Sequence, residues 1–564
     1  MLKSASEGKV GTVEDQLYFF PPPPGPEATE WAGSPAGIRN VITRTKGRTA
    51  VHDKGLDRDP QKRDQLLARV QAYLDDRAKP PCQQDVVIHG VRVRAVSNSE
   101  HLCDFWPANW FSPEQWAEAT GREAPRAPKI MVYALVGVPG EAEAAYYSRQ
   151  LNTIVFFNTA YYGQLKSWVL GAVGRVLAEE YGIHSIHGAC VAVGEKGVLY
   201  IAPTGTGKST SSYGLMDLPA TRFHSDDWVY VRYTLRTRDG LRVAPYLVET
   251  AGGAVRGYQV IRWLEEHRDK VELPLEALTL SDDRVRLKVG DLDWTGPLEA
   301  YAYISERVFY LRCNLVESFP RSMPALLQSK LENVPDVTSR FMQAQEETLD
   351  SLAESINGQS RLAREELRLL LARLYAFDNA RAMLDMLELF PPGRVFANPL
   401  EPLRLSVVFL LRRDRRDRTV TKQLSNSQFM TTLLLGETPA GTRETAYNAY
   451  RAVDDMQERE FIEAVRAESE ATSRPFYEVY DDCRTCRSKP ETLEEEFDLF
   501  KLLYRAARCY DLNTVLTLDP GLRDKKEAVA RTMELLARII DLSPEGLSLD
   551  LENYRDFLQE VGTS

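Results

Sequence analysis

A short segment of the chain combines glycine, lysine and hydroxyl residues in the pattern of a phosphate-binding loop. It reads Ala202-Pro-Thr-Gly-Thr-Gly-Lys-Ser209, with alanine where the Walker A pattern has its first glycine. Backbone N–H groups of such a loop and of the following helix start bind phosphate. Lys208 is placed to reach the β- and γ-phosphates, and Ser209 to ligate a divalent cation. The candidate nucleotide contacts are Thr204, Gly205, Thr206, Gly207, Lys208, Ser209 and Thr210.

The segments on either side of this loop fit that interpretation. The apolar run from Val198 to Ile201 predicts a buried strand, and a helix can begin at Ser209 or Thr210. Gly205 and Gly207 permit the positive φ angles that a side chain would block. The alternative is a plain glycine-containing turn between strand and helix. That alternative does not explain why lysine and serine follow the last glycine directly.

Two adjacent carboxylates follow about 20 residues later, at a distance that suits the second half of a nucleotide site. Asp226 and Asp227 end the loop His224-Ser-Asp-Asp227, and the strand Trp228 to Arg232 is predicted to follow. One carboxylate can hold a cation, and the other can accept a proton from water or from an acceptor group. The alternative is a solvated turn.

Several basic residues elsewhere are weaker candidates. Lys166 lies near the start of a helix predicted from about Trp168 to Tyr181, where a lysine opposes the helix dipole. The basic segment 44–48 is either a solvated loop or a clamp for a substrate carboxylate through Arg48. The Gly/Thr/Pro-containing segment 436–444 carries Arg443 and suits a second loop that contacts phosphate or base.

A run of alternating charge occupies residues 412–418, with the sequence RRDRRDR. Because arginines and aspartates alternate, the run predicts a solvated turn whose opposite charges compensate one another. The alternative is an anion-binding role. The pair Cys483 and Cys486 has the spacing of a metal knuckle, but no second pair accompanies it.

Composition and net charge limit the classes of protein to which the chain can belong. The chain has 564 residues, of which 43% are apolar and 27% charged, as in ordinary globular proteins. Its formal charge of −11 gives no overall bias toward nucleic acid. The sequence has neither a run of 18 apolar residues nor the apolar core of a signal peptide, so we expect no membrane span. Seven scattered cysteines predict no disulfide framework and a reducing cytoplasm.

The pattern of strands and helices predicts an α/β protein of several parts. Strand signals at Val86 to Val96 and Lys129 to Val138 place an N-terminal α/β domain at 1–140. The phosphate-loop core is predicted at 141–322, and it includes short strands such as Ile154 to Phe157. Leucine stripes between Met323 and Leu389 predict a helical insert at 323–398. Residues 399–564 would complete the core and add a helical tail.

The segment from His187 to Asp227 resembles the nucleotide-binding core of ATP-type phosphoenolpyruvate carboxykinase, and more distantly that of HPr kinase/phosphorylase. The family carries a metal-binding histidine, a Val-Gly-Glu-Lys-Gly turn, a Gly-Thr-Gly-Lys-Thr loop and a Gly-Asp-Asp element. His187, residues 193–197, residues 205–209 and residues 225–227 stand in that order here. Looser similarities are the segment 161–166, Arg307 and Ala440-Gly-Thr-Arg443. The resemblance implies a phosphoenolpyruvate-carboxykinase-like fold interrupted by the helical insert.

The resemblance also implies roles for individual residues. Ser209 and Asp226 would hold Mg²⁺ at ATP, while His187 and Asp227 would hold a second cation, Mg²⁺ or Mn²⁺. Lys208 would act on the β/γ-phosphates, and Arg443 would contact the nucleotide. Lys166 would neutralise the transferring phosphoryl group, and Tyr161 and Arg307 would orient the acceptor. Lys166, His187, Lys208, Asp226, Asp227 and Arg307 are thus the candidate catalytic residues.

The departures from the family lie mostly on the substrate side. The family has two adjacent lysines where this chain has Lys166 and Ser167, and its N-terminal substrate arginine is matched only by the candidate Arg48. We therefore expect a cytoplasmic ATP-dependent kinase that acts on a small-molecule or peptide acceptor. The alternatives are a true carboxykinase that acts on oxaloacetate and a non-catalytic nucleotide-binding scaffold. No nucleic-acid or membrane partner is expected, and the helical insert is a candidate surface for a protein partner.

Overall fold

A computed structural model describes most of the chain from residue 38 to residue 559. Within that range it does not describe residues 43–50, 54–56, 58, 77–80, 99–102, 104–105, 108, 143, 159–161, 203–205, 251–252, 257–262, 265, 268–273, 280–283, 313–342, 344–345, 357–362, 376–379, 436–454 and 483–490.

The described residues form both strands and helices, as in a mixed α/β protein. The strands are β1 (Ile38–Ile42), β2 (Val51–Asp53), β3 (Cys82–Ile88), β4 (Val91–Ser97), β5 (Ile130–Leu135), β6 (Ala144–Ser148), β7 (Thr153–Phe157), β8 (Ile183–Ile186), β9 (Gly188–Val193), β10 (Lys196–Ile201), β11 (Thr221–Ser225), β12 (Val229–Arg236), β13 (Arg242–Thr250), β14 (Gly253–Arg256), β15 (Pro274–Thr279), β16 (Arg284–Lys288), β17 (Glu299–Ile304), β18 (Val308–Arg312), β19 (Ala380–Asp385), β20 (Leu403–Arg412), β21 (Thr419–Gln423), β22 (Arg508–Asn513) and β23 (Ser548–Asp550). The helices are α1 (Pro60–Asp75), α2 (Pro113–Thr120), α3 (Tyr162–Tyr181), α4 (Lys208–Gly214), α5 (Glu346–Ile356), α6 (Arg364–Tyr375), α7 (Met386–Leu389), α8 (Asn426–Leu435), α9 (Asp455–Thr472), α10 (Phe476–Asp482), α11 (Glu491–Ala506), α12 (Lys525–Leu542) and α13 (Tyr554–Gln559).

The chain divides into two compact units, each built from two stretches of sequence. Unit 1 comprises residues 1–170 and 306–397, and unit 2 comprises residues 171–305 and 398–564. In the described part of unit 1, six strands form a mixed sheet in the order β2-β6-β7-β5-β4-β3, and three form a second sheet in the order β1-β19-β18. Helix α1 packs Leu66 and Val70 against the apolar side chains of β5 and β7.

Unit 2 is built on one large mixed sheet, which has fourteen strands among the described residues. Its main path runs β11-β9-β10-β20-β17-β12-β13-β15-β16. Strand β10 pairs in parallel with β20, which pairs in parallel with β22. The apolar face of α12 covers this parallel region and buries a cluster that includes Val198, Tyr200, Phe409, Tyr510, Leu535, Leu536 and Ile539. The parallel strands therefore end in loops supported by a packed core.

The strands predicted in the first 311 residues are confirmed with small shifts of their ends. Residues 129–138 contain β5, residues 154–157 lie in β7 and residues 228–232 overlap β12. The C-terminal helix predicted at 527–542 is α12. The stretch 323–389 is only partly helical where it is described, because β19 follows α5 and α6 and pairs with β1 and β18. Residues 306–397 cluster with the N-terminal unit instead of forming a unit of their own.

Two of the cysteines are joined, although the sequence predicted no disulfide framework and a reducing compartment. Cys82 at the start of β3 and Cys103 form a disulfide, with their Cα atoms 6.4 Å apart. Twenty-one residues separate them, and tertiary folding brings them together. Cys190 and Cys509 are free and buried, and burial raises the pKa of both thiols. None of the helices in the described part of the chain combines the length and apolar character that crossing a bilayer requires.

A buried glutamate joins four strands of the large sheet. The Glu299 side chain is 1% exposed, and its carboxylate accepts hydrogen bonds from Arg236 Nη2 at 2.6 Å and Arg242 Nε at 2.9 Å. Arg404 Nη2 lies 3.7 Å away, and the Tyr301 hydroxyl donates at 3.2 Å. Burial opposes ionisation, but the hydrogen bonds and charges of Arg236 and Arg242 outweigh it and hold the pKa of Glu299 below its usual value.

We expect Glu299→Gln to lower the free energy of unfolding by about 1–3 kcal/mol at pH 7, as for other hydrogen bonds to charged groups. A depressed folded-state pKa contributes stability above the unfolded value of about 4.3, and that contribution is lost as the pH falls through the folded pKa. The difference between wild type and variant should therefore shrink below about pH 4. Urea denaturation of wild type and variant from pH 7 to pH 3 measures this difference in the free energy of unfolding.

Glu401→Gln is the matched control, because Glu401 pairs with Arg222 at 3.0 Å on a more exposed surface. Its effect should stay below about 1 kcal/mol. Equal losses in the two variants would contradict a special role for the buried carboxylate.

Candidate functional site

The phosphate-type loop leaves the sheet at the carboxyl end of β10. Ile201 and Ala202 are buried, residues 203–205 lie outside the described part, and Thr206 is again buried. Gly207 has a φ of 106°, a conformation in which a side chain would be strained. Helix α4 begins at Lys208, one residue before the earlier of the two predicted starts, and ends at Gly214. The predicted order of strand, loop and helix is confirmed.

Three ionisable side chains from separate segments meet beside this loop. Asp227 Oδ1 lies 3.1 Å from His187 Nε2 and 3.3 Å from Lys208 Nζ. The side chains of His187 and Lys208 are 7% and 12% exposed, whereas that of Asp227 is 32% exposed. The carboxylate therefore links the histidine to the loop lysine and still has a face open to solvent.

Strand pairing holds His187 and Asp227 together. His187 lies between β8 and β9, and Asp227 lies between β11 and β12. The amide of the next residue, Gly188, donates to the Asp227 carbonyl at 3.1 Å. A Cβ on Gly188 would lie 2.8 Å from the Tyr200 carbonyl oxygen, so this corner requires glycine. The position of the cluster therefore follows from the backbone.

Aromatic packing further restricts the histidine. The His187 ring lies 5.3 Å from the Trp228 ring, centroid to centroid. Trp228 is buried, its indole N–H donates to the Ser185 hydroxyl, and its carbonyl accepts from the Ser305 hydroxyl at 2.7 Å. The ring of His187 is thus supported from the sheet side, with its Nε2 atom facing Asp227.

The other acidic and histidine residues of this region lie in the interior. Asp226 is 3% exposed. His224 is buried, and burial lowers the pKa of its imidazole to about 3, so it is neutral at pH 7. His184 is buried as well, and its Nδ1 lies 2.7 Å from the Tyr233 hydroxyl. His184 and His224 are thus packed in the interior of the unit.

Two of the predicted catalytic residues belong to unit 1. Lys166 is the fifth residue of α3, and its Nζ lies 2.8 Å from a carboxylate oxygen of Glu306, with both side chains at most 5% exposed. The next residue, Arg307, donates its backbone N–H to Asn109 at 3.0 Å, and its guanidinium lies 5.5 Å from the centre of the Phe111 ring. The sequence did not anticipate Glu306 as a partner of Lys166. The roles of Lys166 and Arg307 in phosphoryl transfer stay predictions.

Some predicted contacts fall outside the described residues and stay predictions. They are Thr204 and Gly205 of the loop, Arg48, Tyr161, Arg443, and the cysteines Cys483 and Cys486. Ser209 lies in α4, but the structure does not describe its side chain. Thr210 lies in the same helix and is half-buried.

The side chains near the loop can be compared with the ligands that the predicted divalent cation would need. Among the described residues, no group of three or more His, Cys, Asp or Glu side chains could hold a metal ion. His187 Nε2 lies 3.1 Å from Asp227 Oδ1, and the same carboxylate oxygen lies 3.3 Å from Nζ of the loop lysine, Lys208. Mg²⁺ commonly binds through one or two protein groups together with substrate phosphates and water. This pair therefore fits a cation that arrives with a nucleotide, and does not form a closed site of protein ligands.

A further residue beside the loop was missed in the sequence. Thr514 follows β22, and its hydroxyl oxygen lies 3.4 Å from the Thr206 carbonyl oxygen. Its methyl carbon would contact a Cβ on Gly207 at 3.6 Å. A single threonine 308 residues from its contact gives no sequence signal. The parallel order β10-β20-β22 explains the contact, because the carboxyl ends of these strands meet at one edge.

The chain matches no protein-family model, and a search of curated proteins finds no significant match.

Proposed function

We propose that this chain is an ATP-dependent phosphotransferase with a phosphoenolpyruvate-carboxykinase-like fold. It would move the γ-phosphoryl group of ATP to a small-molecule or peptide acceptor with the help of Mg²⁺ or Mn²⁺. The observation that carries the proposal is the meeting of Lys208, Asp227 and His187 directly beside a loop that leaves a buried strand. A plain strand–helix turn needs none of these charges.

The lysine and the loop would bind the polyphosphate. Helix α4 has only seven residues, so its dipole contributes less than that of a long helix. Binding would therefore depend on backbone N–H groups and on Lys208 Nζ, which donates charge-assisted hydrogen bonds to phosphate oxygens. Since Lys208 Nζ lies 3.3 Å from Asp227 Oδ1, phosphate would compete with that carboxylate for the ammonium group.

Asp227 would have two tasks in the loaded protein. With His187 it would ligate a cation, which would neutralise negative charge on the phosphates. Its solvent-facing side would accept the proton of an acceptor hydroxyl. Phosphoryl transfer depends mainly on positioning and on charge around the transferring group. A carboxylate that contacts both His187 and the Lys208 ammonium group is suitably positioned for both tasks.

The experiment measures ADP formation from ATP and Mg²⁺ with purified protein. Separate reactions contain no acceptor, oxaloacetate, or a pool of small hydroxyl metabolites and peptides. We expect ADP to form with the pool and not with oxaloacetate, and Lys208→Ala to slow its formation strongly. Phosphoenolpyruvate formed only with oxaloacetate would instead identify a true carboxykinase. Nucleotide binding without ADP formation under any of these conditions would favour the non-catalytic scaffold.

A further inference from the structure

Among the described residues, two arginines of the charged run at 412–418 have no carboxylate partner, Arg413 and Arg415, and of these Arg413 contacts a neighbour of the phosphate-type loop. Arg412 pairs with Asp417 at 2.6 Å and Asp511 at 3.0 Å, which largely satisfies its guanidinium. Arg416 pairs with Asp414, and Arg418 with Glu552. These ion pairs agree with the predicted turn, in which opposite charges compensate one another. Within the part of the chain that the structure describes, Arg413 has no carboxylate partner and is exposed.

The side chain of Arg413 lies next to the phosphate-type loop. Its Nε donates to the Thr514 hydroxyl oxygen at 3.1 Å. That oxygen lies 3.4 Å from the Thr206 carbonyl oxygen of the loop. The Thr514 amide is itself anchored, because it donates to the Arg412 carbonyl at 3.0 Å. One threonine therefore connects the guanidinium to the loop backbone.

The chemistry of this arrangement favours a phosphate ligand. Because Nε is engaged by Thr514, the two terminal nitrogens remain for a bidentate contact, the geometry in which guanidinium binds phosphate. The loop also needs more positive charge. Lys208 is already paired with Asp227, whereas a nucleoside triphosphate carries several negative charges. A nearby arginine without an acidic partner supplies that charge.

We propose that Arg413, oriented by Thr514, binds the polyphosphate chain and makes the site selective for nucleoside di- and triphosphates over monophosphates. This inference rests on the proposed nucleotide function and extends it to a specificity-determining residue. Arg413 acts on the ligand itself, and Thr514 is a positioning residue.

Isothermal titration with ATP, and competition with AMP, measure both affinities for wild type and Arg413→Ala at fixed ionic strength. We expect Arg413→Ala to weaken ATP binding by about 10- to 100-fold, as for other charge-assisted hydrogen bonds. AMP affinity should change less than about threefold. Arg415→Ala is the matched control, since Arg415 is an exposed arginine of the same turn. It should bind ATP like wild type. Thermal melting confirms that each variant is folded.

Thr514 is tested by a pair of variants that separate its hydroxyl from its shape. Thr514→Val removes the acceptor for Arg413 Nε and should weaken ATP binding by about three- to tenfold. Thr514→Ser keeps the hydroxyl and should restore wild-type affinity, which a purely structural role for the methyl group would not allow.

Either of two results would overturn the inference while leaving the proposed function standing. The first is wild-type ATP affinity in Arg413→Ala, and the second is an equal loss in Arg415→Ala, which would show a general effect of surface charge. Wild-type protein that binds neither ATP nor ADP would instead refute the proposed function, and the role of Arg413 with it.

Discussion

Replacing Lys208 by alanine is expected to weaken ATP binding and to lower kcat/KM for phosphoryl transfer by about 10²- to 10³-fold. The reason is the position of Nζ beside the loop, where it can donate to phosphate oxygens as negative charge develops. The same ammonium group lies 3.3 Å from Asp227 Oδ1, so the carboxylate holds the side chain in place. Steady-state kinetics with ATP as the varied substrate measure the change.

Lys501→Ala serves as the control for a lost lysine. Lys501 pairs with Asp481 at 2.6 Å on the surface, where such a pair contributes about 0–1 kcal/mol. Its kinetics should match those of the wild type. Retention of full activity by Lys208→Ala would exclude the loop as the site of phosphoryl transfer.

Replacing Asp227 by asparagine should lower turnover strongly without weakening ATP binding. ATP binding should stay the same or become tighter, because a negative charge next to the phosphates is removed and Lys208 loses its competing partner. Turnover should fall by about 10²- to 10⁴-fold, since the amide can neither accept the acceptor proton nor match the carboxylate as a cation ligand. Titration calorimetry and kcat measurements separate the two effects.

Asp217→Asn is the comparison for this variant, because Asp217 is an exposed carboxylate of unit 2 at the end of a short 3-10 helix. It should leave both quantities unchanged. A fall in ATP affinity together with unchanged kcat in Asp227→Asn would assign the carboxylate to binding and not to chemistry.

Local sequence patterns predicted the centre of the site well. The apolar run before Ala202 is typical of a buried strand and forms one, and Gly207 does adopt the positive φ for which glycine was expected. The aspartate pair precedes a strand, as predicted, but His224 and Ser225 belong to β11 and not to the predicted loop. These features depend on neighbouring residues, so the sequence contains the information. The class of fold was accessible for the same reason.

Long-range pairing limited what the sequence could predict. Strand β19 lies in a region that reads as helical, and its partners β1 and β18 are distant along the chain. Glu306 as the partner of Lys166, and Thr514 as the neighbour of Thr206, likewise depend on which strands and helices meet. Arg413 could not be separated from its neighbours, because the run 412–418 shows charge but not which arginines find an acidic partner.

The most direct measurement is ³¹P NMR of ATP and Mg²⁺ titrated with wild-type protein and with Lys208→Ala. Binding of the polyphosphate at the loop predicts that the β- and γ-phosphorus resonances shift or broaden with the wild type and stay nearly unchanged with the variant. Resonances that the wild type leaves unchanged, or that both proteins perturb equally, would show that Lys208 and its loop do not bind the nucleotide.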